Sequence, residues 1–200
     1  MPLWGAGSGA GGESKPKWLT TEQNKQVYAT AQGWVAEPGL SGNSNTAADP
    51  EILCFVKNLT GTDAAPTTKL AAADITELEF VTTAVAADTP GNFSVLVRFN
   101  ERVDVTGAPY VTVTNSNHGT STSVSITPDY VSGTGTNELT FTCAWTSGQL
   151  KANDVMFIGA NSMNLNGGAV KDAGTNDAST ITNTTGEGIL QADGITVTAS

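Results

Sequence analysis

The chain has few charged side chains and very few cations, histidines or cysteines. Charged residues make up 14% of its 200 residues, and nine Lys plus Arg stand against 19 Asp plus Glu, giving a formal net charge of −10. Nucleic-acid binding needs clustered cations to contact phosphates, and only Lys15 and Lys17 lie close together, so we expect no nucleic-acid partner. The acidity instead predicts a solvated, self-repelling exterior.

The scarcity of histidine and cysteine argues against catalysis. His118 is the single histidine, and Cys54 and Cys143 are the two cysteines. A Ser–His–Asp triad would have to include His118, which lies in a polar segment between predicted strands, and no G-x-S-x-G phrase is present. One histidine and two distant cysteines do not supply a tetrahedral zinc site. The carboxylates fall mainly in turns, where Asp caps the backbone. We therefore expect no enzymatic activity and no cofactor.

Long apolar runs are also missing. No stretch approaches the roughly 18 apolar residues that cross a bilayer, so membrane insertion is not expected. The start Met1–Gly5 has neither the cationic region nor the apolar region of a secretory signal, which predicts synthesis in a reducing cytoplasm. Period-two counting places Cys143 on one strand face with Leu139 and Phe141. It is therefore predicted to be a buried apolar group rather than half of a disulfide with Cys54.

What the chain does contain is Gly, Thr, Ser, Asn and Ala, the composition of a β-rich, turn-rich protein. Strands with apolar residues at every second position need two packed sheets to bury their apolar faces, and Trp145 is predicted to belong to that core. The pattern predicts a β-sandwich domain over residues 74–200. Its predicted strands lie near 76–83, 93–99, 109–114, 122–131, 138–145, 153–158 and 194–199.

Three phrases within residues 99–178 follow one another in a recognisable order. They are F-N-E-R-V-D-V-T-G-A-P from Phe99, D-Y-V-S-G-T-G-T from Asp129, and L-N-G-G-A-V-K-D-A-G from Leu165. This order resembles the SwmB-like bacterial immunoglobulin-type (Ig-type) repeats of large surface adhesins. The resemblance implies an Ig-like β-sandwich and no particular reaction.

Residues 1–73 are predicted to form a small N-terminal anchoring module. The first twelve residues are mostly Gly, Ala and Ser around Trp4, an extended arm with little to bury against its backbone entropy. Thr20 with Gln23 suits a capping box, which predicts one short helix over Thr21–Ala31, ended by Gly33. Trp34–Val35 begins an extended segment, Glu51–Lys57 is a predicted strand, and Asp63–Ala73 is a predicted linker.

The opening of the chain carries a second resemblance. Its phrases are M-P-L-W-G at Met1, K-P-K-W-L at Lys15, Y-A-T at Tyr28, G-W-V at Gly33, and an E-x-L-x-x-V strand at Glu51. In this order they resemble the start of small virion structural proteins from tailed phages that infect marine cyanobacteria. The resemblance implies an exterior virion component made in the host cytoplasm, most simply a capsid decoration protein on the outer head surface.

The candidate functional residues follow from that reading. A large aromatic in a glycine-rich segment is a typical interface anchor, so the module is expected to bind the major capsid protein or other virion proteins within an oligomeric assembly. The predicted anchoring residues are Trp4, Lys15, Lys17, Trp18 and Trp34. No metal centre is predicted, and the weak calcium candidates are the loop oxygens of Asp172, Asn176 and Asp177.

Two other functions stay open from the sequence. The same residues would serve a tail, neck or fibre component of the virion. A carbohydrate- or calcium-dependent adhesion module is the alternative of a different class, and its partner would be a host-surface glycan. Calcium dependence and dispensable N-terminal tryptophans would distinguish the adhesion module from the virion component.

Overall fold

The computed structural model describes residues 26–30, 33–36, 47, 51–55, 72–87, 89–116, 125–146, 148–183 and 194–199. Throughout these ranges the regular secondary structure is β-strand, so the prediction of a mainly β protein is confirmed. The strands are β1 (Val27–Thr30), β2 (Gly33–Ala36), β3 (Glu51–Phe55), β4 (Ile75–Phe80), β5 (Val85–Ala86), β6 (Gly91–Thr106), β7 (Tyr110–Ser116), β8 (Ser125–Ile126), β9 (Asp129–Ser132), β10 (Thr136–Trp145), β11 (Val155–Asn164), β12 (Ala169–Asp172) and β13 (Ile195–Thr198).

A small antiparallel sheet, in the order β1-β2-β3, is formed by the N-terminal part of the chain. The predicted helix over Thr21–Ala31 is wrong where the structure describes it, because Val27–Thr30 forms β1 and pairs with β2. Val27 and Tyr28 are an adjacent β-branched and aromatic pair, which favours a pleated, buried surface over a helix. The capping pattern at Thr20 lies outside the described residues. The predicted extended segment at Trp34 and strand at Glu51 are confirmed as β2 and β3.

The remaining strands form one larger, curled sheet, which we call the β-domain. Its strand order is β12-β6-β10-β9-β7-β11-β13-β5, with β4 also pairing with β6 and β8 with β7. The sixteen-residue strand β6 is its centre, because β10 pairs with one edge while β4 and β12 share the other. Residues from both ends of this path belong to one buried cluster, including Val170 of β12 and Val85 of β5.

Each strand that was predicted in the β-domain is present, with differences in bounds and two additional strands. Strand β6 continues past residue 99 to Thr106, because its second half finds a partner in β12, a strand that the sequence reading missed along with β5. In its described part, the predicted strand 122–131 is divided into β8 and β9. The break lies at Pro128, which has no N–H to donate to a ladder hydrogen bond. Strand β11 extends to Asn164.

Aromatic side chains fill the core near the start of β6. Phe80 and Phe93 meet edge to face with ring centroids 5.1 Å apart, and Phe93 meets Trp145 in the same way at 6.4 Å. The Trp145 indole donates a hydrogen bond to Thr89 O at 2.7 Å, and the side chain is buried, as predicted. Ala73 is fully buried in this cluster, so the β-domain begins by Ala73, immediately before the predicted boundary at residue 74.

Candidate functional site

The three sequence phrases meet at one set of turns in the β-domain. Asn166 Nδ2 in the β11–β12 turn donates to Ala108 O in the β6–β7 turn at 3.1 Å. In the β9–β10 turn, Thr134 Oγ1 accepts a hydrogen bond from Val105 N at 3.0 Å, and Gly135 N donates to Val103 O at 2.8 Å. Hydrogen bonds between residues of the three phrases therefore connect three turns of one sheet. This structural role accounts for the residues without a catalytic role.

Two glycines of these phrases are required by close backbone contacts. Gly133 has φ +117°, and a Cβ there would lie 2.0 Å from Glu138 O. A Cβ on Gly168 would lie 2.2 Å from Thr106 O. No side chain fits at these distances, so the backbone, and not a ligand, explains both residues. Tyr130 adds to the same assembly, since its hydroxyl accepts a hydrogen bond from Thr134 N at 2.9 Å.

The calcium candidates lie at the end of β12 and in the turn that follows it. Asp172 is 2% exposed, and its Oδ1 accepts a hydrogen bond from Thr175 N at 2.6 Å. Asn176 has φ +63°, and its Oδ1 lies 3.4 Å from Lys171 Nζ. Asp177 O accepts from Asp172 N at 2.9 Å. In the described part of the chain, no group of three or more His, Cys, Asp or Glu side chains is arranged to hold a metal ion.

Glu101 is a site residue that the sequence reading missed. It lies on β6 between Phe99 and Val103, which are both fully buried, and is itself half-buried. Burial raises the pKa of Glu101 to about 8, and the charge of Asp172, a hydrogen bond with Asp172 and the charge of Asp74 act in the same direction. Period-two counting from Phe93 places residue 101 on the core face, and this signal was available in the sequence.

A second missed cluster lies on the opposite face of the same strand. Arg98 Nη1 is 2.9 Å from Glu77 Oε2 and 2.5 Å from Glu79 Oε2, and Arg98 Nε is 2.9 Å from Glu138 Oε2. Glu77 and Glu138 are the register partners of Arg98 on β4 and β10. Burial lowers the pKa of Arg98, but the Glu79 hydrogen bond and the three carboxylates together raise it above its usual value. One guanidinium thus joins three strands.

The small sheet contacts the β-domain through Tyr28. Arg102, on the outer face of β6, stacks its guanidinium over the Tyr28 ring at 5.1 Å from the centroid. Arg102 Nη2 also donates to the Tyr28 hydroxyl at 2.7 Å, and Tyr28 is 2% exposed. A stacked, hydrogen-bonded guanidinium fixes a partner in both distance and orientation. This contact is the described connection between the N-terminal module and the β-domain.

Of the predicted anchoring residues, the structure describes Trp34. It is 6% exposed and packs with Val27 and Ala36 in the core of the small sheet, so most of its surface is already covered by this chain. Its insertion into a neighbouring chain stays a prediction. Trp4, Lys15, Lys17 and Trp18, like the sole histidine His118, lie outside the described residues.

Asp154 illustrates how the turn carboxylates are used. It is 1% exposed, and its Oδ2 accepts hydrogen bonds from Asn115 Nδ2 at 2.7 Å and from Lys151 N at 2.8 Å. Asp154 N in turn donates to Lys151 O at 3.0 Å. The side chain therefore closes the 151–154 turn and ties it to β7, which is the structural role expected of a turn Asp.

Cys143 is a free, half-buried thiol that packs against the core. Burial, together with the charge of Asp129, raises the pKa of this thiol from 9.0 to about 11. At pH 8 the folded protein should therefore react with a thiol reagent on the order of 100-fold more slowly than the unfolded chain. The reaction is measured in the Cys54→Ser variant with and without urea. Native and unfolded reaction rates within a few-fold of each other would contradict a half-buried Cys143 thiol with a raised pKa.

Comparisons with known proteins give no relatives: no family model, curated protein or solved structure matches the chain. Within the ranges that the structure describes, there is no helix long and apolar enough to cross a membrane.

Proposed function

We propose that this chain is a non-enzymatic structural protein of a tailed-phage virion. In this proposal it is a capsid decoration protein on the outer surface of the head, held there by its N-terminal arm. Trp4 and Trp18 bury against capsid subunits, and Lys15 and Lys17 contribute charge to the same contact. The β-domain projects outward, and the curled sheet serves as an Ig-like sandwich. The resemblances of the two halves of the sequence support this division of roles.

The observation that carries the proposal is the direct connection between the two parts. Tyr28 of the small sheet is buried beneath Arg102 of the central strand β6, with a 2.7 Å hydrogen bond between them. An arm bound to a capsid subunit would therefore hold the β-domain through a short, oriented contact. A module joined in this way suits a protein that adds interface area between neighbouring subunits.

The phrases of the β-domain support a scaffold in preference to a catalyst. Their glycines, Tyr130 and Asn166 are accounted for by turn geometry. The net charge of −10 favours repulsion between neighbouring outer domains, which keeps crowded copies from aggregating. Acidic, turn-rich domains of this kind are suited to the exposed side of an assembly.

The location of the protein tests this proposal. Antibodies raised against the β-domain, applied to intact virions and seen by gold labelling, should mark the head surface in many copies per particle. Label confined to the tail, neck or fibres would contradict the decoration assignment and favour the alternative virion component. Virions without label, combined with binding of the purified chain to host cells, would contradict a virion role altogether.

A further inference from the structure

Two carboxyl groups from neighbouring strands are in contact on the core face of the β-domain. Odd-numbered residues of β6 point toward the core, and Glu101 follows this alternation between Phe99 and Val103. Asp172 of β12 is the register partner of Val103, so Glu101 and Asp172 are diagonal neighbours on one face. The two side chains lie within hydrogen-bonding distance of each other. A hydrogen bond between two carboxyl groups requires one proton to be retained between them.

The segments around this pair are held by bonds to the same part of β6. Ala173 N donates to Arg102 O at 2.9 Å, and Asp172 Oδ1 accepts from Thr175 N at 2.6 Å. On the other side, Asp74 N donates to Asn100 Oδ1 at 2.8 Å, which keeps a third carboxylate close. A negative charge on Glu101 would therefore repel groups on both neighbouring segments.

We propose that Glu101 and Asp172 form a proton-sharing latch, which fastens β12 and the 172–177 turn to β6 and weakens as the solution becomes alkaline. The latch is independent of the proposed virion role. It lies one residue from Arg102, so its release affects the strand segment that also carries the contact with the small sheet. The 172–177 turn is the part of the β-domain that opens first.

The charged surroundings agree with this assignment. Nearby cations are engaged elsewhere, since Arg102 stacks on Tyr28 and Lys171 Nζ lies against Asn176 Oδ1. Of the titratable and charged groups on the described elements near this part of β6, Asp172 on β12 and Asp74 before β4 act on Glu101 directly. The others are Arg102 and Asp104 on the outer face of β6, Lys171 on β12, Asp177 in the following turn, and Tyr28 on β1.

The direction of the pH effect on stability follows from the proton that Glu101 retains in the folded protein. The folded protein keeps the Glu101 proton up to a pKa of about 8, whereas the ordinary pKa of a glutamate is 4.5. The stabilising contribution is therefore complete below pH 4.5, falls progressively as the pH rises, and is fully lost above about pH 8. Glu101→Gln, which is neutral at every pH and can still donate to Asp172, should remove this loss.

The test compares melting temperatures of the full chain from pH 4.5 to pH 9 in the presence of a chelator. Relative to wild type, Glu101→Gln should gain on the order of 5 °C at pH 9 and little at pH 4.5. Asp104→Asn is the matched control, because Asp104 is an exposed carboxylate on the outer face of the same strand, and its curve should parallel wild type. At pH 9, amide protection of Ala173 and Thr175 should be higher in Glu101→Gln than in wild type.

Parallel curves for wild type and Glu101→Gln would overturn the latch. A parallel series at pH 9 replaces the chelator with calcium, and a calcium-dependent rise in the wild-type melting temperature that is lost in Glu101→Gln would also overturn the latch, in favour of a cation site. If Glu101→Gln does not fold, carboxyl NMR of the wild type decides: a Glu101 titration midpoint above pH 6 supports the latch, and one below pH 6 contradicts it.

Discussion

Removing residues 1–18 is expected to abolish incorporation of the chain into particles while leaving the β-domain folded. The arm is rich in Gly, Ala and Ser, so it gives its own chain little apolar surface to bury. The β-domain core is built from Ala73 onward, and its melting temperature should stay unchanged. Incorporation is measured by the amount of protein that co-sediments with particles assembled in its presence.

A matched control keeps the proposed anchors and changes only the spacer between them. Scrambling residues 6–12 leaves Trp4, Lys15, Lys17 and Trp18 in place and should preserve incorporation. The anchoring account fails if the truncated chain is unfolded in isolation, or if it decorates particles as well as the full chain does.

Replacing Arg98 by Met is expected to lower the free energy of unfolding by about 2–3 kcal/mol at low salt. Met retains most of the side-chain stem, so the loss is chiefly that of the guanidinium. Glu77 and Glu79 on β4 and Glu138 on β10 would then lose the cation on β6 that lies between them. The estimate is below that for a fully buried pair, because the side chains of Glu79 and Glu138 are 34% and 40% exposed.

Glu138→Gln is the control within the same cluster. One guanidinium faces three carboxylates, so the loss of one negative charge leaves it satisfied by two others and should change stability by less than about 0.5 kcal/mol. Urea unfolding at low salt and at 0.5 M salt measures these differences. The Arg98→Met loss should shrink as salt screens the carboxylates. A loss that is small at low salt or insensitive to salt would contradict the proposed role of this cluster.

The strands of the β-domain were readable from the sequence because one face of each is buried. Alternation from Phe93 to Phe99 and from Leu139 to Phe141 marks β6 and β10 directly. The helix predicted around Val27 was wrong because a capping pattern is local, whereas pairing with β2 is tertiary and overrides it. The short strand β12 was missed for a related reason, since four residues carry little pattern before their partner is known.

The same distinction between local pattern and tertiary pairing decides which site residues could be predicted from the sequence. Glu101 was within reach of sequence reasoning, since the alternation that predicts β6 also places it on the core face. The Arg98 cluster was not, because Glu77 and Glu138 are brought beside it by the registers of β4 and β10. Asp172 was named from the sequence as a weak calcium candidate because of its side-chain oxygens. Its burial and its hydrogen bond from Thr175 N depend on a turn that forms only in the folded chain.

Binding of the purified chain to particles that lack it tests the central claim most directly. Wild type, Trp4→Ala and Trp18→Ala are titrated onto such particles with and without a calcium chelator. A fully buried Trp contributes about 2–4 kcal/mol to a well-packed interface, so each substitution should weaken binding by at least about 30-fold. Wild-type binding should tolerate the chelator. Binding that requires calcium and is indifferent to Trp4 and Trp18 would contradict the decoration role.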